Sequence, residues 1–225
     1  MRYSDKDREI NDQFYGYFLR HNLDDGWGDR DKYGNFKLLT DITRYTNKPL
    51  KGSSVLDIGC GTGDFYDYLK QRGVIDYLGI DIYHMSVEYA QMKYPEGRFV
   101  TSDFLTFDPR PFRPEADQPL AETYDYVFCS GALAAVLATD NYQMMEAFIA
   151  KMWPLAKVGV AFNFLTRETP AEHDRELFLY DLERVLELCK EQAPKARLEK
   201  TQNRAGDDLD FLQTHMYLLR SAPSA

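Results

Sequence analysis

From Lys51 onward, short apolar runs alternate with segments in which the hydrophobic positions recur at helical spacing. The apolar runs predict strands at residues 54–58, 77–80, 99–102, 124–129, 158–165, 197–201 and 211–219. The segments between them predict helices at residues 65–72, 85–94, 141–153 and 175–190. The run at 158–165 is almost continuously apolar, which is typical of a strand buried on both faces.

Strands that alternate with helices predict an α/β fold, with a doubly wound, mostly parallel seven-stranded sheet and helices on both faces. The last two predicted strands are separated only by a short segment that contains Gly206, Asp207 and Asp208. This short connection predicts an antiparallel strand near the C-terminal edge of the sheet.

Residues 1–50 have a different pattern, in which many aromatic side chains lie among charged ones. Helical spacing is visible at residues 11–20 and again at 36–45. We therefore expect an N-terminal helical extension over residues 1–50, packed beside a main domain at residues 51–225. Its polar-rich parts contain three aromatic residues, Trp27, Tyr33 and Tyr15. A purely structural cluster there would be exposed to solvent on one side, so these three are candidate substrate-binding residues of a lid.

Composition narrows the class of partner. The net charge of −9 and the pI near 5.0 argue against a nucleic-acid ligand, and no dense Lys/Arg cluster offsets them. A small molecule is the expected ligand. The charged N-terminus does not resemble a secretory signal, and no apolar run approaches the roughly 20 residues that span a bilayer. We expect a cytoplasmic protein without a membrane segment.

The cysteines Cys60, Cys129 and Cys189 are odd in number, widely spaced and set in apolar surroundings. This pattern favours buried, reduced thiols over a disulfide or a metal site. His and acidic residues are not clustered at metal-ligand spacing, so no metal is expected.

The first predicted strand runs directly into glycines and then a helix, an arrangement typical of nucleotide binding. Gly59, Gly61 and Gly63 are two positions apart, whereas the dinucleotide fingerprint places its third glycine three positions after the second. Asp64 then begins the helix, where a carboxylate would repel a diphosphate. Asp57, two positions before the first glycine, also suits a cation. These features favour a phosphate-free, cationic nucleoside such as S-adenosylmethionine.

The segment Val55 to Gly63, VLDIGCGTG, resembles the first motif of class I S-adenosylmethionine-dependent methyltransferases. The resemblance continues through Gly79-Ile80-Asp81, Ser102-Asp103-Phe104 and residues 124–131, and covers roughly residues 50–220. It implies a Rossmann-like catalytic domain at residues 51–225, S-adenosylmethionine as cofactor, and methyl transfer to a small-molecule acceptor by in-line displacement (EC 2.1.1.-). Residues 26–29 resemble an N-terminal segment of some uncharacterised bacterial members.

The resemblance also implies roles for individual residues at the cofactor. Asp57 would face the methionine part, and Asp81, with Ile82 beside it, would bind the ribose hydroxyls. Asp103 would contact the adenine amino group, with a backbone donor from Phe104; a plain helix-capping role for Asp103 is an equal alternative. Ser130 and Gly131 would line the floor near the transferring methyl. The glycine turn would pass close to the cofactor, and its residues are Gly59, Cys60, Gly61 and Gly63, with the Cys60 side chain packed under the turn.

The acceptor side is less defined. Asn163 is a polar residue inside an otherwise apolar strand, so it either orients the substrate or binds a neighbouring loop. Arg167 follows as a further candidate contact. No convincing general base is present, and Asn163 and His84 are only weak catalytic candidates.

Three other functions remain open at this point. A Rossmann oxidoreductase is disfavoured by Asp64 and by the glycine spacing. A transferase of the same fold, such as an aminopropyl transferase, or a non-catalytic S-adenosylmethionine-binding partner protein would share the cofactor site. The methylated element and the oligomeric state, monomer or dimer, are not defined by the sequence.

Overall fold

The computed structural model describes residues 1–21, 29–108, 124–167, 177–204 and 211–220, without the side chains of residues 18, 29–31, 167, 204 and 211. The helices of these ranges are α1 (Asp5–Arg20), α2 (Asp29–Thr40), α3 (Asp64–Lys70), α4 (His84–Lys93), α5 (Asn141–Leu155) and α6 (Leu182–Gln192), with a 3-10 helix at Asp41–Tyr45. The strands are β1 (Ser54–Ile58), β2 (Asp76–Asp81), β3 (Phe99–Thr101), β4 (Tyr124–Cys129), β5 (Ala156–Arg167), β6 (Leu179–Tyr180), β7 (Arg197–Arg204) and β8 (Phe211–Leu219).

The strands form one sheet in the order β3-β2-β1-β4-β5-β8-β7, and β6 pairs with β5 off this path. Neighbouring strands from β3 to β5 are parallel, whereas β8 is antiparallel to both β5 and β7. The predicted doubly wound, mostly parallel α/β fold with an antiparallel strand near its C-terminal edge is confirmed. The winding reverses between β1 and β4, and in such sheets the reversal is where ligands bind.

Helices cover both faces of the sheet, and alternate strand residues belong to different cores. Leu56 of β1 and Phe162 of β5 share one core with residues of α5 and α6. Val55 of β1 and Ala161 of β5 share the other core with residues of α2, α3 and α4. The second core includes Leu39 and Ile42, so the segment before Lys51 contributes apolar residues to the main body of the protein.

The predicted helix at 175–190 is wrong at its beginning. Leu179–Tyr180 pairs with Leu165 and Thr166 as the eighth strand, and α6 begins only at Leu182. The physical reason is Asp181, whose side chain accepts a hydrogen bond from the backbone N–H of Arg184 at 2.9 Å and so caps the helix.

The N-terminal helices also differ from their predicted bounds. Helix α1 begins at Asp5 instead of residue 11, and the segment predicted at 36–45 is divided between the end of α2 and the 3-10 helix. The Thr40 hydroxyl donates to the carbonyl of Phe36, a side-chain bond of the kind that competes with regular helix geometry.

Among the helices that the structure describes, none combines the length and the apolar character that a membrane span requires.

Helix α1 is attached to the body of the protein through its first turn. The Asp7 amide donates to the Ser4 hydroxyl and the Asp7 carboxylate accepts from the Ser4 amide at 3.0 Å, a reciprocal capping arrangement. The same carboxylate accepts from the backbone N–H of Thr139 at 2.9 Å and from its hydroxyl at 2.6 Å. These hydrogen bonds lower the pKa of Asp7 to about 2, against the effect of burial. One carboxylate therefore both begins the helix and ties it to the loop after β4.

Replacement of Asp7 tests this attachment. Asp7→Ala should lower the free energy of unfolding by about 1–3 kcal/mol, because it removes the helix cap and leaves the Thr139 donors without their acceptor. Urea unfolding followed by circular dichroism measures the change. Asp5→Ala removes an exposed carboxylate from the same turn and should change stability by less than about 0.5 kcal/mol; equal losses in both variants would contradict the assigned role.

Candidate active site

A cleft opens at the carboxyl ends of β1 and β4, where the winding of the sheet reverses. Its empty space is about 1040 Å³ when the solvent at its open mouth is included. Six aromatic side chains line it, namely Tyr3, Tyr15, Phe36, Phe65, Phe104 and Phe148. The cleft therefore offers apolar surface on which flat ring systems can pack.

The glycine turn after β1 forms one edge of the cleft. Gly59, Gly61 and Gly63 have φ angles of 72°, 50° and 83°, all in the left-handed region that L side chains rarely adopt. A Cβ atom on Gly59 would also lie 2.5 Å from the Cβ of Ala132. The amides of Gly59 and Cys60 both donate to the carbonyl of Ile80, at 2.8 and 3.1 Å. The turn is thus fastened to the end of β2 and presents bare backbone to the cleft.

Asp81, the last residue of β2, holds this arrangement together. Its Oδ2 accepts from the backbone N–H of Gly61 at 2.9 Å and its Oδ1 accepts from that of Tyr83 at 2.8 Å. The Asp81 carboxylate therefore joins the glycine turn to the beginning of α4 at the edge of the cleft that it lines.

Asp57 is the buried carboxyl group of the cleft, with 1% of its surface exposed. Its Oδ2 accepts from the Tyr77 hydroxyl at 2.7 Å, while its Oδ1 has no hydrogen-bond partner in the described part of the chain. Burial raises the pKa of Asp57 to about 7; the Tyr77 hydrogen bond opposes this shift and the nearby Asp81 charge adds to it. The side chain lacks one strong donor, and a cation in the cleft would supply it.

Lys32 of α2 is a buried cation beside the glycine turn, and its side chain is 7% exposed. Its Nζ lies 2.6 Å from Asp64 Oδ2, and Lys93 Nζ lies 2.5 Å from Asp64 Oδ1. The two lysines lower the pKa of Asp64 although burial acts to raise it. Because two lysines neutralise the Asp64 carboxylate, its charge alone does not exclude a phosphate group. The argument against a diphosphate ligand therefore relies on the glycine spacing and on Asp57.

The N-terminal segment contributes to the cleft wall through Tyr3, which precedes α1, and through Asn11 and Tyr15 of α1. The Tyr15 hydroxyl donates to the carbonyl of Gly131 at 2.9 Å. Asp103 Oδ2 accepts from the Tyr3 amide at 3.2 Å and from Arg8 Nη2 at 2.9 Å. The Asp103 carboxylate therefore fastens the beginning of α1 over the end of β3.

The structure brings most of the predicted site residues into this one cleft. Those that line it are Asp57, Gly59, Cys60, Gly61, Asp81, Ile82, Phe104, Ser130, Gly131, Tyr15 and Asn163. Gly63, Asp103, Tyr33 and His84 lie outside its lining, and the last two are exposed on α2 and α4. Trp27 lies outside the described residues, and Arg167 ends β5 with a side chain that is not described.

Sequence reasoning missed several polar lining residues, namely Asn11, Lys32, Asn35, Ser86 and Ser102. Asn11 and Asn35 are buried on helices rich in charged residues, and a buried amide on such a helix is a usable signal of a site. Nothing local links Lys32 to Asp64, which lies 32 positions later in the chain.

Asn163 occupies the far end of the cleft, on β5. Its Oδ1 accepts from the backbone N–H of Gly131 at 2.7 Å.

All three cysteines are buried and free. In the described ranges, His, Cys, Asp and Glu side chains do not gather into any group of three or more that could hold a metal.

The sequence matches the methyltransferase domain family over residues 31–158, more than half of the chain. The protein therefore belongs to this family, as its glycine turn and sheet order led us to expect. It is 34% identical over 94 residues to a ubiquinone biosynthesis O-methyltransferase of Neisseria meningitidis serogroup C (strain 053442), an alignment that covers 39% of this chain and 38% of that protein. The chain thus matches about two fifths of the length of this curated relative.

Two solved structures share the fold at low identity. One is a magnesium protoporphyrin IX methyltransferase from Synechocystis PCC 6803 with bound S-adenosylhomocysteine, with a TM-score of 0.70, 17% identity, and coverage of 96% of this chain and 100% of that one. The other is a 4+2 cyclase, with a TM-score of 0.66, 11% identity, and coverage of 97% and 98%. At these identities the likeness concerns the fold, and the cyclase shows that one fold carries more than one reaction.

The raised pKa of Asp57 has a consequence for stability. The pKa is higher in the folded protein than the ordinary value of 3.8, so the unfolded chain releases its proton first. The contribution of Asp57 to the free energy of unfolding is therefore fully present below about pH 4 and is lost as the pH rises through about 7.

Asp57→Asn should remove this loss and make the protein more stable than the wild type at about pH 8, because the amide oxygen still accepts from Tyr77. Thermal unfolding across the pH range measures the effect. Asp67→Asn, at a half-buried carboxylate of α3, is the matched control. An unchanged pH profile for Asp57→Asn would refute the assigned pKa.

Proposed function

We propose that this protein is an S-adenosylmethionine-dependent methyltransferase that acts on a small-molecule acceptor. The observation that carries the proposal is Asp57, a residue of the cleft lining whose buried Oδ1 has no partner in the described part of the chain. An α-ammonium group fits this atom, since it would supply the missing donor and the compensating charge. A diphosphate would meet the Asp57 carboxylate instead.

Lys32 and Asp57 together suit a zwitterionic amino-acid end. Lys32 is a buried cation and Asp57 a buried acid, and both line the same cleft beside the glycine turn. In this proposal Lys32 binds the cofactor carboxylate and Asp57 binds its ammonium group. Asp81, which holds the amides of Gly61 and Tyr83 at the edge of the cleft, also accepts from the ribose hydroxyls.

The adenine end is proposed near Phe104, which lines the cleft after β3. The Asp103 side chain accepts from Tyr3, Arg8 and the Leu105 amide, so a direct bond from adenine to Asp103 would have to share these oxygens. The backbone after β3 is the alternative contact for the adenine ring.

The bound cofactor supplies an activated methyl group on a sulfonium, so the protein contributes proximity and alignment. Tyr15 and Asn163 both bind Gly131, one through its carbonyl and one through its amide. They hold the floor of the cleft between α1 and β5, on which the acceptor would lie. Helix α1 would then act as a lid that excludes water from the acceptor.

Two other functions would share this cofactor site. A non-catalytic S-adenosylmethionine-binding partner protein would bind the cofactor and leave every acceptor unchanged. An aminopropyl transferase would prefer the decarboxylated cofactor, which lacks the group proposed to bind Lys32. A comparison of the affinities for S-adenosylmethionine and for its decarboxylated form distinguishes an aminopropyl transferase from a methyltransferase.

Calorimetric titration tests the proposal. The protein should bind S-adenosylmethionine, and NADH should bind far more weakly because its diphosphate would face Asp57. Asp81→Ala should weaken S-adenosylmethionine binding by about 1–3 kcal/mol, the cost of unpaired ribose hydroxyls. Asp76→Ala, at the opposite end of the same strand, should leave the affinity unchanged. Tight NADH binding without S-adenosylmethionine binding would refute the proposal.

The lid is tested at the ion pair between Arg8 and Asp103. Arg8→Ala should release the start of α1 and accelerate S-adenosylhomocysteine dissociation severalfold, with little change in overall stability because Arg8 is 41% exposed. Stopped-flow displacement measures the rate. Arg44→Ala breaks the exposed ion pair with Asp41 and should leave dissociation unchanged. A rate equal to that of the wild type in Arg8→Ala would argue against a lid.

A further inference from the structure

Two buried polar side chains lie next to each other on β5 and β8 and lack hydrogen-bond partners. Asn163 pairs directly with His215 across the antiparallel strands, and the two are 1% and 0% exposed. Asn163 Nδ2 and both ring nitrogens of His215 have no partner within the described ranges. An unpaired buried polar group costs stability, so two side by side call for an explanation.

The geometry defines what Asn163 offers. Its Oδ1 accepts from Gly131, and since that amide needs an acceptor, the NH2 group must point away from it. Asn163 lines the cleft, and the group left over is a buried donor without a partner in the described part of the chain. A ligand atom that satisfies it must be an acceptor.

His215 lies on the next strand and on the same face of the sheet, since Asn163 alternates with Ala161 and His215 with Tyr217, two members of one core. Burial lowers the pKa of His215 to about 3, so its imidazole is neutral and offers one donor and one acceptor. Neither side chain brings a charge, and burying a carboxylate against neutral donors alone is costly.

We propose that Asn163, with the unpartnered His215 beside it on β8, binds a neutral hydroxyl or carbonyl oxygen of the methyl acceptor. The Asn163 amide donates to this oxygen, and the buried imidazole next to Asn163, which does not itself line the cleft, positions the amide without adding a charge, so an anionic or cationic group is disfavoured at the same place. This inference builds on the proposed function, because it specifies the acceptor of that reaction.

Three probes of similar size separate these chemistries: phenol, benzoate and benzylamine. The aromatic lining makes a ring a suitable carrier for each polar group. Binding to the full chain is measured by NMR saturation transfer, with and without S-adenosylhomocysteine. Phenol should bind more tightly than benzoate and benzylamine. With S-adenosylhomocysteine present to occupy Asp57 and Lys32, equal binding of all three probes, or a preference for either charged probe, would overturn the proposal.

Variants connect the preference to the two residues. Asn163→Ala should weaken phenol binding roughly tenfold and leave S-adenosylhomocysteine binding within about twofold. Asn141→Ala removes a buried amide whose oxygen and nitrogen are both partnered, so it should destabilise the fold without selectively affecting phenol. Unchanged phenol binding in Asn163→Ala would overturn the assignment.

His215→Leu provides a readout that does not depend on any ligand of the cleft. Removal of an unpartnered buried imidazole should leave the melting temperature unchanged or raise it, while phenol binding falls severalfold. A drop in melting temperature with normal phenol binding would show that His215 has a structural role, and it would overturn the proposed binding role of the two residues. Failure of S-adenosylhomocysteine to bind, with phenol selectivity intact, would refute the proposed function and leave the polar pair supported.

Discussion

The hydrogen bonds of Asp81 are the interaction on which the rest of the site depends. Its carboxylate joins the amide of Gly61 in the glycine turn to the amide of Tyr83 at the beginning of α4. The end of β2 also holds the turn through the carbonyl of Ile80. The glycine turn between Asp57 of β1 and the first residue of α3 is thus tied to the end of β2 at two places. A ligand that binds Asp81 therefore binds the element that shapes its own site.

The charges around this joint are distributed unevenly. Asp64 receives two lysines, whereas Asp57 is buried with a single neutral donor, and its pKa rises to about 7. Both residues line the cleft, but the fold satisfies the carboxylate of Asp64 and leaves one oxygen of Asp57 without a partner in the described part of the chain. Unfavourable burial of this kind persists where a ligand compensates it. Burial of Asp57 therefore lowers the stability of the folded protein at the position where the charge of a bound cation would be compensated best.

The sequence predicted what local patterns encode. Strand and helix periods gave the doubly wound sheet, and the exact strands at Ser54–Ile58 and Tyr124–Cys129, because alternation and apolar runs follow directly from burial. The glycine turn and the carboxylates of Asp57 and Asp81 were also found, because they lie in short consecutive motifs. The cap at Asp181 was missed, since Leu177 and Leu182 fit a helical period as well as a strand followed by a helix.

Long-range contacts were beyond the reach of the sequence. Asp7 meets Thr139 across 132 positions and Asp103 meets Arg8 across 95, and neither pairing leaves a local signal. Asp103 was expected at adenine or as a cap, and its part in fastening α1 is visible only in the fold. Its adenine contact stays a prediction, as do the roles of Trp27 and Arg167.

The proposed cofactor and acceptor ends of the cleft are therefore encoded in different ways. The proposed cofactor end is built mainly from one turn and the ends of two neighbouring strands, so short motifs suffice to identify it. The proposed acceptor end is built from α1, the loop after β4 and strand β5 with its partner β8, which meet only in the folded chain. Because Gly131 joins Tyr15 to Asn163, a change at either residue would alter the proposed acceptor floor without touching Asp57 or Asp81.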